Sequence, residues 1–177
     1  MGLGQTILTI FSLVILSRLI LSINSTALDV GFTKDMAEYR ITATSLGTSI
    51  QEQINGLAFD EATVDSTLLS SNKSLLADTT NFGPDAGESS VSDYDDVDDY
   101  QQYTETDSLQ NSAIFKIRVL INYCTLSGNK FVVTAAKGFS KRIIVEVTSD
   151  YLVDYSVDPP RKDTLRFYSV YSYWNFR

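Results

Sequence analysis

The sequence predicts an α+β protein, with a long N-terminal helix packed on a small C-terminal antiparallel β-sheet. Three observations predict it. Residues 1–23 are an almost unbroken apolar run. Residues 34–57 repeat apolar side chains at spacings of three and four, the signature of one helix face. From residue 113 onward apolar and polar side chains alternate with period two, the signature of strands with one buried face. The 177 residues divide accordingly into a helix over 1–57, an acidic connecting loop over 58–112 rich in Ser, Thr and Asp, and a β-sheet head over 113–177.

The apolar run comes first. A helix of roughly 20 apolar residues spans about 30 Å, the thickness of a bilayer core. No Lys or Arg precedes the run and no Ala-x-Ala follows it, so it reads as a retained anchor rather than a removed signal peptide. Gln5 and Arg18 interrupt it. An ionisable side chain in such a place either snorkels to the headgroups or finds a partner, here a carboxylate or carbonyl of a neighbouring subunit. The residues expected to make assembly contacts are Gln5, Ile7, Leu8, Phe11, Leu13, Val14, Leu16, Arg18 and Leu19. Thr9, Ser12 and Ser17 are small enough to let helices approach.

Asn24 to Thr33 is a polar interval containing Gly31, where a helix can bend or unwind. The helical period then resumes through Met36, Tyr39, Ala43, Gly47, Ile50, Ile54 and Leu57. Gly56 is a natural stop, and Phe59 is placed to fold back onto the stripe. The whole helix, about Gly4 to Leu57, would measure on the order of 80 Å.

The connecting loop is expected to hold little regular structure, with Leu68, Leu69, Leu75 and Leu76 as anchors. Its densest charge lies in Ser92-Asp93-Tyr94-Asp95-Asp96-Val97-Asp98-Asp99-Tyr100. The favoured reading is a solvated acidic turn with Tyr94, Val97 and Tyr100 facing inward, because charge runs are usually hydrated. The alternative is a Ca²⁺ site drawn from Asp93, Asp95, Asp96, Asp98 and Asp99, since hard cations take oxygen ligands. The spacing is not that of an EF-hand loop.

In the head, Phe115 to Tyr123 and Lys141 to Ser149 are strong strands; Ile143, Val145 and Val147 share one face of the second. Ser127-Gly128-Asn129 marks a turn, Phe131 to Thr134 a short edge strand, and Asp158-Pro159-Pro160 a break. Thr164 to Phe176 is expected to be a last, aromatic-rich strand.

Composition narrows the function. The net charge is −8, so a polyanionic nucleic acid is an unfavourable partner. The chain has no histidine and one cysteine, Cys124. It shows no nucleophile elbow, no Gly-rich phosphate loop and no cysteine pair. We therefore expect a non-enzymatic protein with no cofactor beyond the candidate Ca²⁺.

Ala43-Thr44-Ser45-Leu46-Gly47-Thr48-Ser49-Ile50-Gln51-Glu52-Gln53-Ile54 is similar to the second half of a pilin N-terminal helix. Tyr94 to Tyr100 is similar to an acidic-aromatic stretch of minor-pilin-like proteins. With the order helix, loop, sheet, the chain resembles the type IV pilin superfamily, which includes the pseudopilins of type II secretion. Pilins typically carry Glu at the fifth mature residue; counted from Met1, that position is Gln5, which supplies no charge. The terminal disulfide of many pilins has no counterpart in a chain with one cysteine.

The resemblance implies a structural subunit of a bacterial cell-surface filament. Its partners would be copies of itself, the inner membrane before assembly, and the pilus or secretion machinery. Its final location would be an extracellular fibre. A minor pilin or pseudopilin, or a single-span surface protein with a ligand-binding head, are the alternatives.

Overall fold

The computed structural model describes residues 2–108 and 113–176. The boundary placed between the loop and the head at 112 and 113 falls partly outside them, as does the ring of Phe176. The fold is α+β. One helix, α1, covers Leu3–Asn55, and five strands follow: β1 Thr104–Ser108, β2 Ile114–Ser127, β3 Lys130–Val133, β4 Ser140–Asp154 and β5 Arg161–Ser172. By contacts the chain separates into two compact units, residues 1–40 and residues 41–177.

The first unit is helix alone. The polar interval Asn24–Thr33 does not unwind, since α1 is continuous through it. Ser25 and Thr26 donate their hydroxyls to the Ser22 carbonyl, and Thr33 donates to that of Asp29. Polar side chains that bond to the preceding turn stay inside a helix without breaking it. A single exposed glycine, Gly31, weakens a helix by only about 1 kcal/mol.

The second unit contains the last four turns of α1 and the sheet. Ala43, Gly47, Ile50 and Ile54 are buried, as the stripe predicts. Gly47 meets the ring of Phe167 on β5, where any larger residue would collide. The helix stops by tightening: Gly56 N–H donates to Gln53 and Leu57 N–H to Ile54, both three residues back. Phe59 does fold in, with its ring 6.1 Å from that of Tyr171 and 5.8 Å from that of Tyr173.

The sheet order is β1-β2-β4-β5, antiparallel throughout, with β3 paired to the far end of β2. Val119 lies opposite Val145, and Val145 opposite Phe167, so one parity of each strand faces the core. Phe115, Ile117, Val119, Ile121 and Tyr123 are buried on β2; Ile143, Val145 and Val147 are buried on β4. Cys124 is buried beside them, at 3% exposure. The β2–β3 turn is a two-residue loop with Gly128 at φ 63°, a backbone state that favours glycine.

Three expectations need correction. The last strand begins at Arg161 and ends at Ser172; Tyr173–Phe176 is a 3₁₀ turn. Of the four leucines expected to anchor the connecting loop, Leu68 and Leu76 are buried, but Leu69 and Leu75 are exposed. The loop also holds more structure than its composition suggests. It contains 3₁₀ turns at Glu61–Thr63, Ser70–Leu75 and Asp98–Tyr100, and β1 near its end.

Candidate functional site

Two features stand out, one in each unit. In the first, every one of Gln5, Ile7, Leu8, Phe11, Leu13, Val14, Leu16, Arg18 and Leu19 is exposed. The helix is long and apolar enough to cross a membrane. Thr6, Thr9, Ser12 and Ser17 each donate a hydroxyl to a carbonyl one turn back, at 2.8–2.9 Å. Such bonds remove the need for water at those groups, which suits an apolar environment. Arg18 is the only charged residue before Asp29.

In the second unit the acidic run is not a solvated turn. Asp96, Asp98 and Asp99 are buried together with Val97 and Tyr100. The reason lies on β4, where Lys141 is fully buried on the same parity as Ile143, Val145 and Val147. Its Nζ donates to the Phe59 carbonyl at 2.6 Å and to Asp60 Oδ2 at 3.1 Å, and touches Asp98 Oδ1. The rings of Phe59, Phe82 and Tyr123 surround it, with centroids at 4.6, 5.0 and 5.6 Å. A buried ammonium is tolerable only with such compensation.

The carboxylates are anchored from several directions. Asp60 caps the Glu61–Thr63 turn and accepts from Ala77 N–H and Tyr123 O–H. Tyr123 O–H also reaches the Ala77 carbonyl at 2.8 Å. A bridge between Ala58 and Asp96 brings the acidic run alongside the chain that leaves α1. Asp96 Oδ1 accepts from the N–H groups of Asp98 and Asp99. Asp99 Oδ2 accepts from those of Asp95 and Asp96.

Burial dominates the titration of these groups. It pushes Asp96 up to about 9, helped by the neighbouring Asp98 charge and opposed by Lys141. Asp98 is also raised by burial, against the pull of Lys141. Asp99 rises to about 7 through burial, although the N–H groups of Asp95 and Asp96 oppose it and Glu88 assists it. Burial and then the charges of Asp60 and Asp98 hold the Tyr123 hydroxyl above its usual range.

The five Ca²⁺ candidates separate. Asp95 and Asp99 converge with Glu88, a residue not among the five, with one oxygen of each within 4.8 Å of the others. Asp93 instead caps its own turn, accepting from the Ser90 hydroxyl and from the Ser90 and Ser89 N–H groups, which lowers its pKa. Asp96 is committed to the turn and Asp98 to Lys141. The polar centre therefore includes Asp60, Tyr123 and Lys141, none of which sequence reasoning singled out as functional. A lysine on the buried parity of a strand was the available signal.

Comparison with protein-family models, with curated proteins and with solved structures found no match for this chain.

Proposed function

We propose that the protein is a structural subunit of a bacterial cell-surface filament resembling a type IV pilus, assembled through the first unit of α1. The observation that carries this reading is the apolar run from Leu3 to Ile23, whose side chains are exposed among the described residues. Ile7, Leu8, Phe11, Leu13, Val14, Leu16 and Leu19 would each gain about 1.5–3 kcal/mol on full burial. Arg18 would cost about 2.5–3.5 kcal/mol at the centre of an apolar layer. The seven gains exceed that one cost, so leaving this surface in water is unfavourable and either lipid or sister helices must cover it. A contact repeated between unlike surfaces of successive copies does not close, and it generates a helical polymer.

In this reading the helix sits in the inner membrane before assembly and moves into the fibre core afterwards. Long apolar helix and antiparallel sheet together are compatible with a pilin-like architecture. Negative-stain microscopy of sheared surface material from producing cells tests the proposal. We expect fibres in which this chain is the abundant component. Trace abundance in fibres built of another protein would favour a minor pilin. A detergent-stable monomer with no fibres would favour a single-span surface protein and defeat the filament reading.

A further inference from the structure

The Lys141 centre asks for an explanation beyond packing. A buried ion pair carries a desolvation cost that Coulomb attraction offsets only with complete hydrogen bonding. Here one ammonium lies among the carboxyl groups of Asp60 and Asp98, with Asp96 bonded to Asp98 behind them. Aromatic rings occupy the remaining space. Once Nζ passes a proton to a neighbouring carboxylate, the amine and the carboxyl group in contact with it are a nucleophile held against an electrophile. Such fixed proximity replaces an improbable encounter between two separate molecules.

The two aspartates in contact with Nζ differ in their other partners. The Asp60 oxygens are engaged by Ala62 N–H, Ala77 N–H and Tyr123 O–H, the arrangement of a fixed proton acceptor. Asp98 Oδ1 meets Nζ itself, and the Asp96 carboxyl bonds to Asp98, where a departing oxygen needs a proton. The Phe59 carbonyl accepts another Nζ hydrogen at 2.6 Å and helps to orient the amine.

The geometry points to an intramolecular amide between Lys141 Nζ and Asp98 Cγ, formed by the folded head itself. The ammonium and the carboxylate become one amide and one water. The Nζ–Cγ bond forms and one Cγ–Oδ bond breaks. Two hydrogens leave nitrogen and depart with that oxygen. Asp60 accepts one proton from Nζ and Asp96 delivers one to the leaving oxygen; the second Nζ proton passes to that same oxygen as it departs as water, and a final transfer from Asp60 to Asp96 restores both. Nothing is oxidised or reduced, and no co-reactant is required. The bond would tie the Asp98–Tyr100 turn to β4 across a separation of 43 residues. A cross-link of that span restricts the unfolded chain as a disulfide does, in a protein whose single cysteine cannot supply one internally.

Denaturing intact-mass spectrometry and peptide mapping of the purified full-length chain test this. The expected result is a mass lower by one water and a branched peptide that joins the segments carrying Asp98 and Lys141. Lys141→Arg, which keeps the charge but not the amine, and Asp98→Ala should both restore the full mass. Asp60→Ala should leave most molecules unlinked. Separate linear peptides carrying intact Lys141 and Asp98, recovered from folded wild-type protein, would overturn the proposal whether or not the variants fold. A branch at Asp60, or a water loss that survives Lys141→Arg, would overturn it as well. Fibre formation plays no part in these readouts, so this inference and the filament reading stand or fall separately.

Discussion

Asp99 shows how burial and backbone compete over one proton. Two N–H groups favour its carboxylate, yet burial raises its pKa from 3.8 to about 7. Glu88 faces it and adds to the rise; Asp96 and Asp95 flank it in the same turn. A raised acid pKa means that the folded protein holds a proton which the unfolded chain releases. The stabilisation from the neutral form is complete below about 3.8 and disappears as pH rises through about 7. Asp99→Asn keeps an acceptor oxygen for both N–H groups and has no proton to lose. Urea midpoints should therefore be closest for wild type and variant near pH 3.5, with the variant increasingly the more stable up to pH 8. Equal midpoints at both values would mean that Asp99 does not titrate in this window.

At the scale of elements, the seam between α1 and the sheet depends on a missing side chain. Gly47 sits against the Phe167 ring, so Gly47→Ala must push that ring or the helix aside. Overpacking costs about 1–3 kcal/mol, while alanine returns about 1 kcal/mol of helix propensity. A net loss of up to about 2 kcal/mol is expected, visible as a lower thermal midpoint for the head. Gly31→Ala meets nothing within 4 Å and should leave that midpoint unchanged. Much of this layer was legible in the sequence. The Ala43 to Ile54 stripe and the alternation from Phe115 to Tyr123 are long and obey one period each, so burial could be read from spacing alone. β1 was not legible, because Thr104-Glu105-Thr106-Asp107-Ser108 has both faces exposed and no apolar alternation to read. The acidic turn was misread for a different reason. The burial of Asp98, and of Asp96 beside it, is matched by Lys141, a residue 43 or more positions away that local composition cannot associate with them. Spacing identifies which residues face inward; it does not identify which charges will meet there.

For the whole molecule, the filament reading makes the first unit of α1 the assembly surface. Its apolar residues supply the affinity, and Arg18 is the group best placed to set register, since it is the only charge before Asp29. Arg18→Ala should lower fibre yield several-fold while circular dichroism of the head stays unchanged. Equal yield would show that Arg18 contributes nothing to assembly. Cys124, sealed beside the core face of β2, imposes a last condition on any such fibre. Oxidants cannot rivet one folded subunit to the next, because the lone sulfur never reaches the outside. Cohesion along the polymer must then survive on shape and greasy contact, indifferent to the redox state of its surroundings.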